Sequence, residues 1–237
     1  MEFPKVSIII PFYNCQYVQQ AIKSALNQTY VNKEVIVVND GSTKYTEKIK
    51  PFLNRIKYVE KPNGGTASAL NAGIKVATGD YFSWLSSDDR FMNNKTQIQM
   101  DFMQKHQAKI SYTNYHVIND QSKIIRKNLG KIIVDKKEFY RYLKNKCHIN
   151  GCTVIIRMEL FDKVGLFDEK LKFTQDYEMW LRVLQHEDFH FLNQPLLLSR
   201  YHTDMGTLKF QEALQVEKQM VSKKYEAMLN QKIERLS

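Results

Sequence analysis

The stretch VSIIIPFYN, Val6 to Asn14, opens with a short aliphatic run that Pro11 ends. A run of this kind, without polar alternation, reads as a strand covered on both faces, as in the interior of a parallel sheet. Two similar runs follow: Val35 to Val38, ended by Asn39-Asp40-Gly41, and Tyr81 to Leu85, ended by Ser86-Ser87-Asp88-Asp89. Between the first two, Val18, Ala21, Ile22, Ala25 and Leu26 recur at amphipathic-helix spacing, and Ala67 to Ala77 reads as a second helix ahead of the third strand. This alternation predicts β-α-β crossovers and an α/β architecture with a parallel central sheet. Ligands of open parallel sheets bind beyond the carboxyl ends of the strands. Tyr13, Asp40 and the Asp88-Asp89 pair are therefore expected along one edge.

Past residue 110 the pattern changes. SYTNYHVIND and QSKIIRK read as a hairpin-like pair, Lys136 to Lys146 as a basic helix, Thr153 to Ile156 as a strand and Tyr177 to Leu184 as a helix. Pro195 to Leu198 is an apolar strand, and the last thirty residues, rich in Glu, Gln, Lys and Met, read as a helix packed on the body. With no repeat and no Gly/Ser/Pro linker, the expectation is one domain over 1–237. Its parts are a half at 1–109, a second half at 110–207 and a helical tail at 208–237.

The 237 residues are 43% hydrophobic and 25% charged, which excludes disorder throughout. No stretch approaches the ~20 apolar residues of a membrane span, and MEFPKVSIII has neither a basic leader nor a cleavage site, so a cytoplasmic protein is expected. Cys15, Cys147 and Cys152 lack CxxC spacing and suggest neither disulfides nor zinc. The net charge is +10, and residues 123–146 alone hold nine basic against two acidic side chains. No helix-turn-helix, RNP or zinc pattern accompanies that charge, so nucleic acid is not an expected partner. The segment reads either as a solvated face or as a surface for an anionic acceptor or an anionic membrane.

SIIIPFYN (Ser7–Asn14), EVIVVNDGS (Glu34–Ser42), NGGTASALNAGI (Asn63–Ile74) and GDYFSWLSSDD (Gly79–Asp89) resemble, in order, the N-terminal half of glycosyltransferase family 2. VGLFDEKL (Val164–Leu171), TQDYEMWLR (Thr174–Arg182) and SRYH (Ser199–His202) continue the resemblance over roughly residues 5 to 205. It implies the GT-A fold, with a Rossmann-like, mostly parallel sheet, and inverting transfer from a nucleotide-diphosphate sugar, a UDP-sugar first. The acceptor would be a carbohydrate or lipid-linked glycoconjugate, in the setting of cell-surface polysaccharide assembly. On this reading residues 1–109 bind the donor and 110–207 carry the acceptor side and the base.

Each motif has a physical reading beside the family one. Tyr13 can stack on a base and Asp40 accept from a base N–H, with Pro11 and Asn14 beside them; as the bland alternative, Tyr13 is a core aromatic and Asp40 a helix cap. Asn63 and Gly65 read as a turn that lets backbone approach the donor, with Asn71 further on. Asp88 and Asp89 match the family's DxD region, although Ser86 stands where an acidic residue is common. A Mn²⁺ or Mg²⁺ ion is expected there, bound by one of Asp88 and Asp89 while the other contacts ribose or diphosphate, with His202 as a further ligand. Asp176 matches the catalytic base, beside Gln175 in place of the family's glutamate, with Trp180 desolvating it and lining the substrate site. Glu178, an alternative base, should point elsewhere on the helix. A nucleotidyltransferase, or a binding module that has lost catalysis, remains open at this level.

Overall fold

The computed structural model describes residues 4–131, 133, 135–203 and 210–236. The boundary expected at 207/208 therefore lies outside the described residues. The three aliphatic runs form β1 (Val6–Phe12), β2 (Lys33–Asp40) and β4 (Tyr81–Trp84), with β3 (Lys57–Lys61) at the sheet edge. Their order is β3-β2-β1-β4, and all three pairings are parallel, with Ile8 opposite Val35 and Ser83. Ile8, Ile9 and Ile10 are all fully buried, as an unbroken run in a parallel strand requires.

The crossovers are α1 (Val18–Leu26) and α2 (Thr66–Val76), both packed on β1 and β2. Gly73 allows the close approach of α2: a Cβ there would lie 2.5 Å from the Ile9 Cγ2 atom. Beyond β4 the sheet continues through β8 (Ile155–Arg157), β6 (Ile110–Ile118), β9 (His190–Arg200) and the two-residue β5 (Arg90–Phe91). β7 (Ile124–Arg126) pairs antiparallel with β6, completing the expected hairpin. β6 and β9 run parallel, with register shifts around Asn114, which faces Pro195. A proline without an N–H is tolerated at such an irregularity. The architecture is the expected α/β one, with a sheet flanked by helices and a C-terminal helix.

The strand expected at Thr153–Ile156 begins two residues later, because Asn150 accepts from the Cys152 amide and turns Gly151–Thr153 into a 3-10 segment. Four elements lack a clear sequence signal: β3, β5, α3 (Lys95–Lys105) and α5 (Glu159–Val164). β3 is a largely solvated edge, and α3 buries the polar Lys95, Thr96 and Gln99 together with Met100 and Met103 on its inner face. The remaining helices are α4 (Lys136–Asn145), α6 (Gln175–Val183) and α7 (Gln211–Glu234), with α7 packed on α4 and α6.

Candidate active site

Two cavities of about 580 and 570 Å³ adjoin each other, sharing Trp84, Ser86, Asp88 and Phe173 as a common wall. The first is formed where β1, β2 and β4 end, as the sheet topology predicts. Pro11, Tyr13 and Asn14 line it from the end of β1, Asp40 from β2, and Asn63 and Gly65 from the turn before α2. Tyr13 is 55% exposed, so its ring is available for stacking and is not a core aromatic. The Asn14 side chain accepts from the Thr43 and Lys44 amides and fixes the loop after β2. Gly65 has φ +88 and nothing within 4 Å of a Cβ position, so the backbone faces open cavity there.

Asp40 is more committed than its sequence position suggests. Its Oδ1 accepts from Lys61 Nζ at 2.6 Å and the Gly64 amide at 3.0 Å. Its Oδ2 accepts from the Gly65 amide at 2.8 Å and Asn63 Nδ2 at 3.2 Å. Four chain donors fill the four acceptor positions of the carboxylate. The aspartate thus ties the 61–65 turn over the end of β2, and a base N–H reaches it only by displacing one of those donors.

Two expected substrate contacts are corrected. Asn71 lines neither cavity: it donates to the Phe167 carbonyl and Glu169 and accepts from the Phe167 amide, joining α2 to the segment before α6. Trp180 is 0% exposed and packs against Phe167 and Phe189, because on α6 it lies one turn deeper than Asp176. The aromatic walls shared by both cavities are Trp84 and Phe173.

The acidic pair divides. The Asp88 Oδ2 atom lies 3.1 Å from His202 Nε2, and both residues line the first cavity. Asp89 is buried, accepts from the Arg200 amide at 2.7 Å and neighbours Cys152 and Ser199. Burial and the adjacent Asp88 push its carboxyl well above the usual range. Among the described residues no three His, Cys, Asp or Glu side chains converge as a metal cluster. Of the three expected ligands, the structure brings Asp88 and His202 together, while Asp89, bound to the Arg200 amide, lines the second cavity instead.

Gln175 and Asp176, consecutive at the start of α6, face different cavities: Gln175 lines the first and Asp176 the second. Burial pushes the Asp176 carboxyl up to about 6, against the Tyr177 amide at 2.7 Å and nearby Lys218, which both favour its charged form. Glu178 points away, as expected, binding Arg182, Lys224 and the Tyr225 hydroxyl. The C-terminal helix also holds the loop before α6: Glu217 accepts from the amides of Lys172, Phe173 and Thr174 and from the Thr174 hydroxyl. Gln175 Oε1 and Trp84 Nε1 are buried without a partner among the described residues, leaving polar capacity at the cavity walls for a ligand.

Sequence reasoning missed Trp84, Phe173, Arg200, Glu217 and Lys218. Trp84 reads as core within its strand, whereas Arg200 carries a signal, a charged residue closing the apolar run Leu196–Leu198. Glu217 and Lys218 carry none, since their role depends on where α7 docks.

A family model described as glycosyl transferase family 2 matches residues 7–165. A Rickettsia typhi protein named an uncharacterized glycosyltransferase is 43% identical over 218 residues, covering 86% of this chain and 66% of that protein. The UDP-Glc:alpha-D-GlcNAc-diphosphoundecaprenol beta-1,3-glucosyltransferase WfgD of Escherichia coli is 32% identical over 214 residues, covering 87% of this chain and 81% of that protein. The crystal structure of S. aureus TarS in complex with UDP superposes with a TM-score of 0.69 at 21% identity, over 83% of this chain and 60% of that one. Its complex with UDP-GlcNAc gives 0.69 at 20%, over 85% and 60%. The TarS likeness extends to the fold. The chain thus spans just under two thirds of the Rickettsia protein, 60% of the TarS 1-349 chain and 38% of the longer TarS chain. On the family model and these relatives, the chain belongs to glycosyl transferase family 2.

Proposed function

We propose that the chain is an inverting, metal-dependent glycosyltransferase that moves a sugar from a UDP-sugar to a hydroxyl of a glycoconjugate acceptor. The observation that carries this reading is Asp176, a carboxyl raised to about 6 by burial, in the second of two cavities that share a wall. The donor occupies the first cavity, its base against Tyr13 and its diphosphate toward Asp88 and His202. The acceptor enters the second, where Asp176 takes the proton from its hydroxyl. That oxygen attacks the anomeric carbon from the face opposite the diphosphate as the carbon–oxygen bond to the diphosphate breaks, which inverts the configuration. WfgD and the TarS complexes support the donor class, since UDP stands in the names of all three. An ionisable base beside the shared wall argues against a module that has lost catalysis.

A Mn²⁺ or Mg²⁺ ion would be held by Asp88 and His202 and would supply positive charge opposite the leaving diphosphate. The carboxylate-plus-imidazole pair fits such an ion with its remaining positions left to phosphate oxygens and water, and the nitrogen ligand favours Mn²⁺. UDP affinity measured by calorimetry with Mn²⁺ is expected to fall about tenfold or more in chelator, and Asp88→Asn with His202→Ala to remove the metal response. Equal affinity with and without chelator overturns the metal assignment. Release of UDP from UDP-glucose or UDP-GlcNAc, even by slow hydrolysis, tests the transferase reading itself.

No helix among the described residues is long and apolar enough to cross a membrane. Peripheral contact is a separate proposal, supported by β7, where exposed Ile124 and Ile125 lie between Lys123 and Arg126–Lys127. Apolar side chains flanked by basic ones suit an anionic bilayer surface, at ~1 kcal/mol per basic residue. Co-sedimentation with phosphatidylglycerol vesicles is expected, and Ile124→Ser/Ile125→Ser/Lys127→Glu should lower it about tenfold. Binding that the triple variant leaves unchanged overturns the contact.

A further inference from the structure

Four of the nine basic residues of 123–146 separate into two pairs once the chain is folded. Lys136 binds Asp188 at 2.7 Å and Lys144 binds Glu226 at 2.8 Å, so these two serve to fix α4 against its neighbours. Lys131 and Lys146 instead line the second cavity, where Lys218 of α7 joins them. The three come from three separate segments: the stretch after β7, the residue after α4 and the C-terminal helix. Lys131 lies over the Tyr142 ring, 3.1 Å from its centroid, and not on a carboxylate. Among the described residues, no carboxylate makes an ion pair with Lys131, Lys146 or Lys218.

Three ammonium groups gathered on one cavity, none of them in an ion pair among the described residues, repel one another; of the cavity's carboxylates, Asp176 acts on Lys218 alone, through its charge. Such an arrangement is stabilised when an anion enters. Lysine acts toward phosphate as a point charge, so a cluster of lysines suits a multiply charged group whose position is set by something else. Here Asp176, in the same cavity, sets that position: the acceptor hydroxyl must reach it. No lysine of the cluster lines the first cavity, so the donor diphosphate is not its ligand.

We propose that Lys131, Lys146 and Lys218 form a subsite for a diphosphate carried by the acceptor sugar, holding that sugar with its hydroxyl at Asp176. The inference rests on the glycosyltransferase reading and deepens it by naming the acceptor class: a sugar joined through a diphosphate to an apolar chain. Exposed Leu129 lines the cavity beside Lys131, and Ile124 and Ile125 of β7 are exposed in the same segment, so apolar side chains are available there to the apolar chain. The WfgD relative, whose name gives a diphospho-linked GlcNAc acceptor, supports the same chemistry.

The test uses the full chain saturated with UDP and Mn²⁺ and compares three probes by calorimetry: N-acetylglucosaminyl diphosphate undecyl ester, undecyl N-acetylglucosaminide without phosphate, and a glycerol phosphate oligomer. The diphosphate probe is expected to bind about tenfold or more tightly than its phosphate-free analogue. That margin should shrink as salt is raised, and Lys146→Ala/Lys218→Ala should remove it while UDP affinity, measured first, confirms a folded donor site. Equal affinity of the two undecyl probes overturns the subsite, as does a double variant that keeps the margin. Preference for the glycerol phosphate oligomer overturns the diphosphate assignment in favour of a polymeric phosphate acceptor. Failure of the wild-type chain to bind UDP at all overturns the underlying transferase reading, and is scored separately from the probe comparison.

Discussion

Asp176→Asn is expected to lower the turnover of sugar transfer by about a thousandfold while UDP affinity stays within about twofold of the wild type. General-base catalysis contributes on the order of 10² to 10⁴ in rate, and an amide of the same shape cannot accept the hydroxyl proton. Gln175, not Asp176, lines the donor cavity, so donor binding should be spared. The wild-type enzyme must have the carboxylate ionised, so with the pKa at about 6 its kcat/KM should fall roughly tenfold per pH unit below that value. Stability carries the opposite signature. Folding raises this pKa from 3.8 to about 6, so the ionised carboxylate opposes folding. Its cost is absent below pH 4, grows between pH 4 and 6 and is complete above 6. The asparagine variant should therefore be the more stable protein at pH 7.5, by on the order of 1 kcal/mol, with the difference closing at pH 4. Undiminished transfer by the variant would remove Asp176 from the mechanism. Lost transfer with a destabilised variant at pH 7.5 would assign it a structural role instead.

Arg200→Leu should be the most destabilising single change near the site. The side chain is 1% exposed, and its guanidinium lies 4.1 Å from the Tyr17 ring. It donates to the Asp88 carbonyl at 2.9 Å, the Asn119 carbonyl at 2.7 Å, the Asp120 carbonyl at 3.2 Å, Ser122 Oγ at 3.1 Å and Gln20 Oε1 at 2.9 Å. One fork thus joins the loop after β4, the turn between β6 and β7, and α1. Removing it leaves several partly buried acceptors unpaired and a buried cavity where the side chain lay, so a loss of roughly 3 kcal/mol in urea-unfolding free energy is expected. Arg200→Lys should recover less than half, because an ammonium cannot span the fork. Because the Asp88 carbonyl is one of the five acceptors, UDP affinity should weaken with it. A stability change below about 1 kcal/mol would show that these bonds exchange freely with water.

The parallel half of the sheet was legible because its strands are covered on both faces, so VSIII and VIVV read the same in isolation as in the fold. The ends of those strands carry Tyr13, Asp40 and Asp88, and sheet topology alone brought them to one edge. By contrast, KYVEK is an edge strand exposed on much of its surface, and α3 buries polar side chains that bond to other elements, such as Gln99 to Thr153 and Ser111. Hydrophobic patterning is silent about both.

Site chemistry divides in the same way. Residue types at loop ends told which carboxylates and aromatics stand at the cavity, since a buried strand ending in Asp or Tyr has only the sheet edge to present it to. Whether a polar side chain there is free or already occupied depends on partners distant in sequence. Asp40 is filled by the 61–65 turn, Asn71 by residues 167–169, and Asp89 by the amide of Arg200, 111 positions away. Trp180 and Trp84 are both tryptophans in apolar runs, and only packing decides that the first is core and the second a cavity wall. The positive charge follows the same rule: the sequence alone located it in residues 123–146. The tertiary structure decided which lysines meet carboxylates and which face the cavity, because a charge acts on whatever the fold places within a few ångströms of it.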